Sequence, residues 1–214
     1  EPALRARARE YADGLAARLV PHGDVIVLED LGSTNGTYLN DEPLRGPLPW
    51  VPPSPNMPTP DTAQVYPGTG LLEGTNVSEG RGTTRPFETL GAPWVDAPAL
   101  AERLDAMQLP GVRFRPTWFT PTFSKHAGAA CAGVQLHVTD RAAFRPVLTG
   151  IAVLKALHDQ HPKDFAFLPG DPPFFDRLAG VPWLRGAILR GDSIEAIEAR
   201  WQPGLAAFQA VRQR

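Results

Sequence analysis

Proline limits this chain more than any other residue. It holds 24 prolines in 214 residues, roughly twice the ~5% of average usage. Many fall in one stretch, GPLPWVPPSPNMPTPDT, residues 46–62. Each proline fixes φ and removes a backbone donor, so this stretch reads as neither helix nor central strand. Trp50, Val51 and Met57 lie within it. Disordered linkers rarely carry such side chains, so the expectation is an extended segment pinned across a surface.

The remainder has the means to form a core, since 43% of the residues are hydrophobic. That suffices for one or two small domains. The net charge of −2 offers no electrostatic footprint for nucleic acid or an anionic membrane. Sugars, peptides or metabolites suit such a surface better. The single cysteine, Cys131, excludes an internal disulfide and a thiolate metal cluster. Its small, apolar flanks, AACAGVQLHV, read as a buried strand, where a thiol's pKa rises. No apolar run approaches the ~20 residues that span a bilayer, and no signal-peptide pattern opens the chain. It begins at Glu1, as a processed chain or a cut piece would, and the compartment is not encoded.

Along the chain, residues 3–20 read as an amphipathic helix, with Leu4, Ala8, Tyr11, Leu15 and Leu19 on one stripe. Pro21, His22 and Gly23 would end it. DVIVLED follows as a strand, and Asn35-Gly36 signals a hairpin turn. After the prolines, AQVYPGTGLLEG alternates apolar and turn residues. Residues 98–109 read as a helix stopped by Pro110-Gly111. In GVRFRPTWF a period of two sets Val112, Phe114 and Trp118 against Arg113 and Arg115, a half-buried strand. CAGVQLHVTD reads as its neighbour. A helical region starts at Asp140, with Pro146 in its first turn. Short helices follow at FFDRLAG, VPWLRGAILRG, DSIEAIEARWQ and PGLAAFQAVRQR. The fold class is therefore α+β: a small mixed sheet packed with several helices, an extended proline-rich segment before it, and an N-terminal helix plus hairpin.

One segment resists both periods. LEGTNVSEGRGTTRPFE, residues 72–88, gathers Glu73, Glu79 and Glu88 with Arg81 and Arg85. Gly74, Gly80 and Gly82 permit tight turns. Arginine can clamp a carboxylate with two parallel hydrogen bonds, and a carboxylate can accept hydroxyl protons or act as acid or base. Asn76, Ser78, Thr83 and Thr84 add neutral partners. The set suits an anionic, hydroxyl-rich ligand such as an acidic sugar; the alternative is a surface loop of internal Glu–Arg pairs. A second polar loop, TPTFSKHAG, carries Lys125 and His126, and the two loops could line one cleft. His158 and His161 have a spacing that can hold a metal, but no third ligand is suitably spaced, so no metal is expected. No Ser-His-Asp order, phosphate loop or CxxC occurs, and no cofactor is implied.

Long ordered blocks now point to a family. The block from PWVPPSPNMPTPDT through GTNVSEGRGTTRPFETLGAPWVD resembles the DUF1343 family of NamZ exo-β-N-acetylmuramidases. So do PGVRFRPTWFTPTFSKHAG, CAGVQLHVTDR and SIEAIEARWQPGLAAFQAVR. The resemblance covers about residues 48–214. It implies a peptidoglycan-acting glycoside hydrolase that releases N-acetylmuramic acid from non-reducing ends, in a bacterial cell-envelope or exported context. It also implies a Rossmann-like first domain facing a smaller C-terminal domain across a cleft. A full member carries a doubly wound region with a PEHG segment before this block. No PEHG occurs here, so most of the catalytic domain is expected to be lacking. On that reading Glu79 and Glu88 are the catalytic candidates, and Asn76, Arg81, Thr84, Arg85, Lys125 and His126 the substrate-binding ones. The partner is a peptidoglycan-derived saccharide, or the chain is a catalytically inactive carbohydrate-binding module.

The first 47 residues differ. VIVLEDLGSTNGTYLNDEPLRGP resembles the end of a forkhead-associated domain, and Ser33, Thr34 and Asn35 match its phosphothreonine-binding turn. This suggests a third reading, a phosphopeptide-binding or interaction protein. The expected organisation is an unrelated segment over 1–47, a proline-rich extended segment over 48–70, and a C-terminal domain over 71–214.

Overall fold

A computed structural model describes residues 50–212 in full and four short strands before them by their backbone. Two compact units divide the chain, Glu1–Pro49 and Trp50–Arg214. In the first, β1 (Ala17–His22) pairs antiparallel with β2 (Val25–Asp30), Ala17 opposite Asp30 and His22 opposite Val25. Strands β3 (Tyr38–Leu39) and β4 (Glu42–Pro43) form a separate antiparallel pair. The expected helix over 3–20 is thus corrected at its end, where residues 17–20 are strand. A β-branched run, Val25-Ile26-Val27, supplies the partner ladder that helical spacing alone overlooks. The rest of that helix, the Asn35-Gly36 turn and Ser33, Thr34 and Asn35 lie outside the described residues.

The second unit opens on the prolines. They curl rather than extend: Trp50 Nε1 donates to the Met57 carbonyl at 3.0 Å, and the Met57 amide to that of Ser54 at 2.9 Å. Helix α1 (Pro60–Thr69) then begins inside the stretch from which helix was excluded. The Thr59 hydroxyl accepts from the Thr62 amide at 3.2 Å, and Pro60 opens the first turn, where its missing donor costs nothing. Pro67 lies in the last turn. A 3-10 turn, Gly70–Gly74, follows.

Strands β5 (Thr89–Ala92), β6 (Val112–Phe119) and β7 (Cys131–Val138) form a sheet of order β5-β7-β6. Both pairings are antiparallel, which corrects the mixed sheet while the α+β class stands. Helix α2 (Ala97–Ala106), capped by Asp96, packs on β6 and β7. Helix α3 (Pro146–Gln160) packs on α1 and α2. The helices α4 (Phe174–Ala179), α5 (Trp183–Arg190) and α6 (Ile194–Arg212) complete the unit. Helix α6 runs unbroken through Pro203, where two helices were expected. The core joins Leu72, Leu90, Leu100, Leu104, Ile151, Leu154, Phe175 and Ile188, all fully buried. Its consequence for the site is direct: the 3-10 turn and β5 anchor both ends of the polar loop in this core.

Candidate functional site: the polar loop after the 3-10 turn

Backbone geometry dictates the loop's glycines. Gly80 has φ +79°, and a Cβ there would lie 2.3 Å from the Thr89 carbonyl oxygen. Gly82 has φ +82° and rests on the backbone of Thr122 and Phe123, with a would-be Cβ 2.7 Å from the Phe123 amide. The Thr122 amide and hydroxyl both donate to the Gly82 carbonyl, at 3.0 Å each. The first polar loop is thereby bolted to the second. Phe87 also sits at positive φ, 63°, unusual for a bulky residue. It is held there by burial, by an edge contact with Tyr66 and by the Arg81 guanidinium 5.0 Å above its ring.

The charges turn inward. Glu79 is only 2% exposed. Its Oε1 lies 3.2 Å from Arg81 Nε and its Oε2 2.9 Å from Lys125 Nζ. Arg81 also reaches Glu73, with Nη2 to Oε2 at 3.2 Å. The Lys125 ammonium donates to the carbonyls of Leu72, Glu73 and Val77 at 2.9, 3.2 and 3.0 Å. Three donors are all an ammonium has, so its contact with Glu79 is an ion pair rather than an aligned hydrogen bond. Burial lowers the Lys125 pKa, and the neighbouring Glu79 carboxylate opposes that fall. Glu88, also buried, accepts from the Thr62 hydroxyl at 2.7 Å and lies 3.4 Å from Thr59 Oγ1 and from Arg85 Nη1. It ties β5 to the start of α1.

The neutral candidates are similarly engaged. Asn76 Nδ2 donates to the Asp164 carbonyl at 2.7 Å, and its Oδ1 accepts from the Ala166 amide at 3.0 Å. His126, at φ +56°, places Nε2 2.7 Å from the Asn76 carbonyl oxygen. The structure thus turns Glu79, Arg81 and Lys125 toward one another, sets His126 against the Asn76 main chain, and directs the Asn76 side chain away to Asp164 and Ala166. Thr84 and Arg85 are set apart by being exposed, the Arg85 side chain 48% so. The two carboxylates singled out for catalysis are both buried: Glu88 accepts from Thr62 and Arg85, whereas Glu79 is held by ion pairs with Arg81 and Lys125 and its Oε2 accepts no hydrogen bond.

The Glu73–Arg81 contact is one of the internal Glu–Arg pairs held open as the alternative; Thr59 and Thr62 as partners of Glu88 were missed. Thr59 ahead of Pro60, a helix-capping residue before a first-turn proline, was the available signal for them. Trp118, expected on the buried face of β6, is 66% exposed. Among the described residues, no group of three or more histidine, cysteine or acidic side chains is placed to hold a metal ion. No helix among them is long and apolar enough to cross a membrane.

Comparison with known proteins gives this geometry a setting. The family profile described as exo-beta-N-acetylmuramidase NamZ, C-terminal, matches residues 64–214, and the FHA domain profile matches residues 17–51. A peptidoglycan beta-N-acetylmuramidase NamZ of Bacillus subtilis (strain 168) is 53% identical over 167 residues, 78% of this chain and 40% of the relative. Two solved DUF1343 family proteins of Bacteroides fragilis NCTC 9343 are similar in structure. One has a TM-score of 0.71 at 29% identity, over 78% of this chain and 44% of the other. The second has a TM-score of 0.56 at 28% identity, over 76% and 42%. The chain therefore matches less than half the length of each of these proteins.

Proposed function

Since the chain belongs to the family of the exo-beta-N-acetylmuramidase NamZ C-terminal domain, we propose that it forms the saccharide-holding part of a peptidoglycan-acting glycoside hydrolase. In this reading the polar loop is a prefabricated platform. Glu79, Arg81 and Lys125 neutralise one another and fix the bend, Glu88 ties it to α1, and Asn76 and His126 secure its base. Arg85 and Thr84 are the groups it presents outward. The Arg85 guanidinium holds the lactyl carboxylate of an N-acetylmuramic acid unit, and the Thr84 hydroxyl meets a ring hydroxyl. The observation that carries this is Arg85 itself, whose side chain is 48% exposed and whose pair with Glu88 is long, at 3.4 Å, while Arg81 and Lys125 are spent on internal contacts.

Bond cleavage needs two groups flanking the glycosidic oxygen. Glu79 and Glu88 take positioning roles here, so proton transfer falls to the portion of the relatives that this chain does not match. Isothermal titration of this chain with N-acetylmuramic acid and with N-acetylglucosamine, which lacks the lactyl carboxylate, tests the reading. A charge-assisted contact predicts preference for the acidic sugar by roughly 10-fold or more, erased by Arg85→Ala. Equal affinities, or a preference that survives Arg85→Ala, contradict it. Turnover of a chromogenic N-acetylmuramic acid glycoside by the chain alone would mark a competent hydrolase; binding without turnover would mark a carbohydrate-binding module.

A further inference from the structure

At the far end of the sheet from the start of β5, a cavity of about 460 Å³ opens where the ends of β5, β6 and β7 meet. That lies within the range of about 300 to 1,000 Å³ usual for small-molecule sites. Trp118 forms one wall, and Pro93, Thr120, Ala130, Cys131 and Ala132 contribute most of the rest. Strand register explains why the indole is bare. Trp118 lies opposite Ala132, which lies opposite Ala92 on the next strand. Cross-strand neighbours normally cover one another, and two methyl groups cannot cover an indole. The ring is left 66% exposed over a floor of small side chains.

The lining is also free of charge. No acidic or basic residue contributes to it, and burial raises the Cys131 pKa, which keeps that thiol neutral. Such a lining favours an uncharged ligand, and the bare indole offers it one flat apolar face. The π-face of an indole carries partial negative charge, which attracts the slightly positive axial C–H groups of a pyranose ring. Thr120 and the backbone ends of the strands supply partners for hydroxyls at the rim. We propose that this cavity is a second saccharide subsite that stacks an uncharged pyranose ring on Trp118. It rests on the carbohydrate part of the function proposed above and adds a neutral subsite to the acidic one at Arg85.

Saturation-transfer NMR and titration of the whole chain with N,N′-diacetylchitobiose, an uncharged β-1,4 disaccharide, test this. Wild type is expected to bind it, with saturation reaching the sugar C–H protons and little change between low and high salt. Trp118→Ala should weaken binding at least 10-fold, Trp118→Phe should restore part of it, and Ala130→Trp, which fills the cavity and leaves Trp118 in place, should weaken it as much as Trp118→Ala. Thermal melts confirm that the variants remain folded. No chitobiose binding by wild type, or unchanged binding by both Trp118→Ala and Ala130→Trp, overturns the subsite. The two proposals fail separately. If Arg85→Ala leaves chitobiose binding intact while N-acetylmuramic acid shows no preference, the acidic reading falls and this one stands; the reverse pattern removes this one alone.

Discussion

Glu79 and Arg85 sit six positions apart in one loop and have opposite tasks. Glu79 is surrounded by protein, so its loss should be felt in stability. Removing one partner of a buried charge pair leaves the others uncompensated, and Glu79→Gln should cost about 3 kcal/mol in urea denaturation. Arg85 is half exposed and its pair with buried Glu88 is long, so Arg85→Ala should cost less, about 1 kcal/mol. A Glu79→Gln chain as stable as wild type would show that the inward-facing network does not build the loop. Cys131 gives a second residue-scale test. It is buried, and burial raises its pKa, so a thiol reagent at neutral pH should label it slowly in the folded chain and fast in denaturant. Rapid labelling of folded protein would contradict the packing at the end of β7. That cysteine was legible from its apolar flanks. The pairings of Glu79 were not, because Lys125 lies far along the chain and only the folded loop shows which cation meets which carboxylate.

Elements with a clean period read well in the sequence, and those governed by proline read poorly. Helix α2 and strands β6 and β7 follow apolar spacings with clear stops. Helix α1 was missed because Pro60 and Pro67 look like breakers, although one sits at the start and the other in the last turn. Helix α6 was split for the same reason at Pro203. The contact of α1 with α3 was equally hidden, since it depends on two glycines. A Cβ on Gly68 would lie 1.8 Å from the Pro146 carbonyl oxygen, and one on Gly150 would lie 2.3 Å from that of Gly68. Both obstacles are backbone, so neither can swing aside. Gly68→Ala or Gly150→Ala should cost at least about 3 kcal/mol, beyond most overpacking substitutions, or prevent folding; a melting temperature like that of wild type would refute this crossing. Asp159 joins α3 to α2 through Arg103 at 2.8 Å and pairs within α3 with Lys155 at 3.0 Å. Burial alone would raise its pKa, but hydrogen bonds from Lys155 and His158 bring it below the ordinary carboxylate range. A carboxyl with a lowered folded pKa stabilises above its unfolded value of about 3.9 and loses that contribution as pH falls through the folded value. Wild type should therefore lose more stability than Asp159→Asn between pH 5 and the acid limb below about pH 4. Parallel losses would contradict the assignment.

At the scale of the whole molecule, the second unit is a small α+β body that holds a charged loop by its ends and lets one arginine face outward. Family membership was legible in long ordered blocks of sequence. What the loop does with its charges was not, because composition is the same whether glutamates and arginines grip a ligand or each other. In the folded loop Glu73, Glu79, Arg81 and Lys125 pair internally, and Arg85 is the more exposed of the loop's two arginines. The most direct test is a backbone-amide NMR map of this chain titrated with N-acetylmuramic acid. Saturable shifts concentrated on residues 82–85 and absent with N-acetylglucosamine are the predicted result; no saturable shifts there, or the same shifts with both sugars, would contradict it.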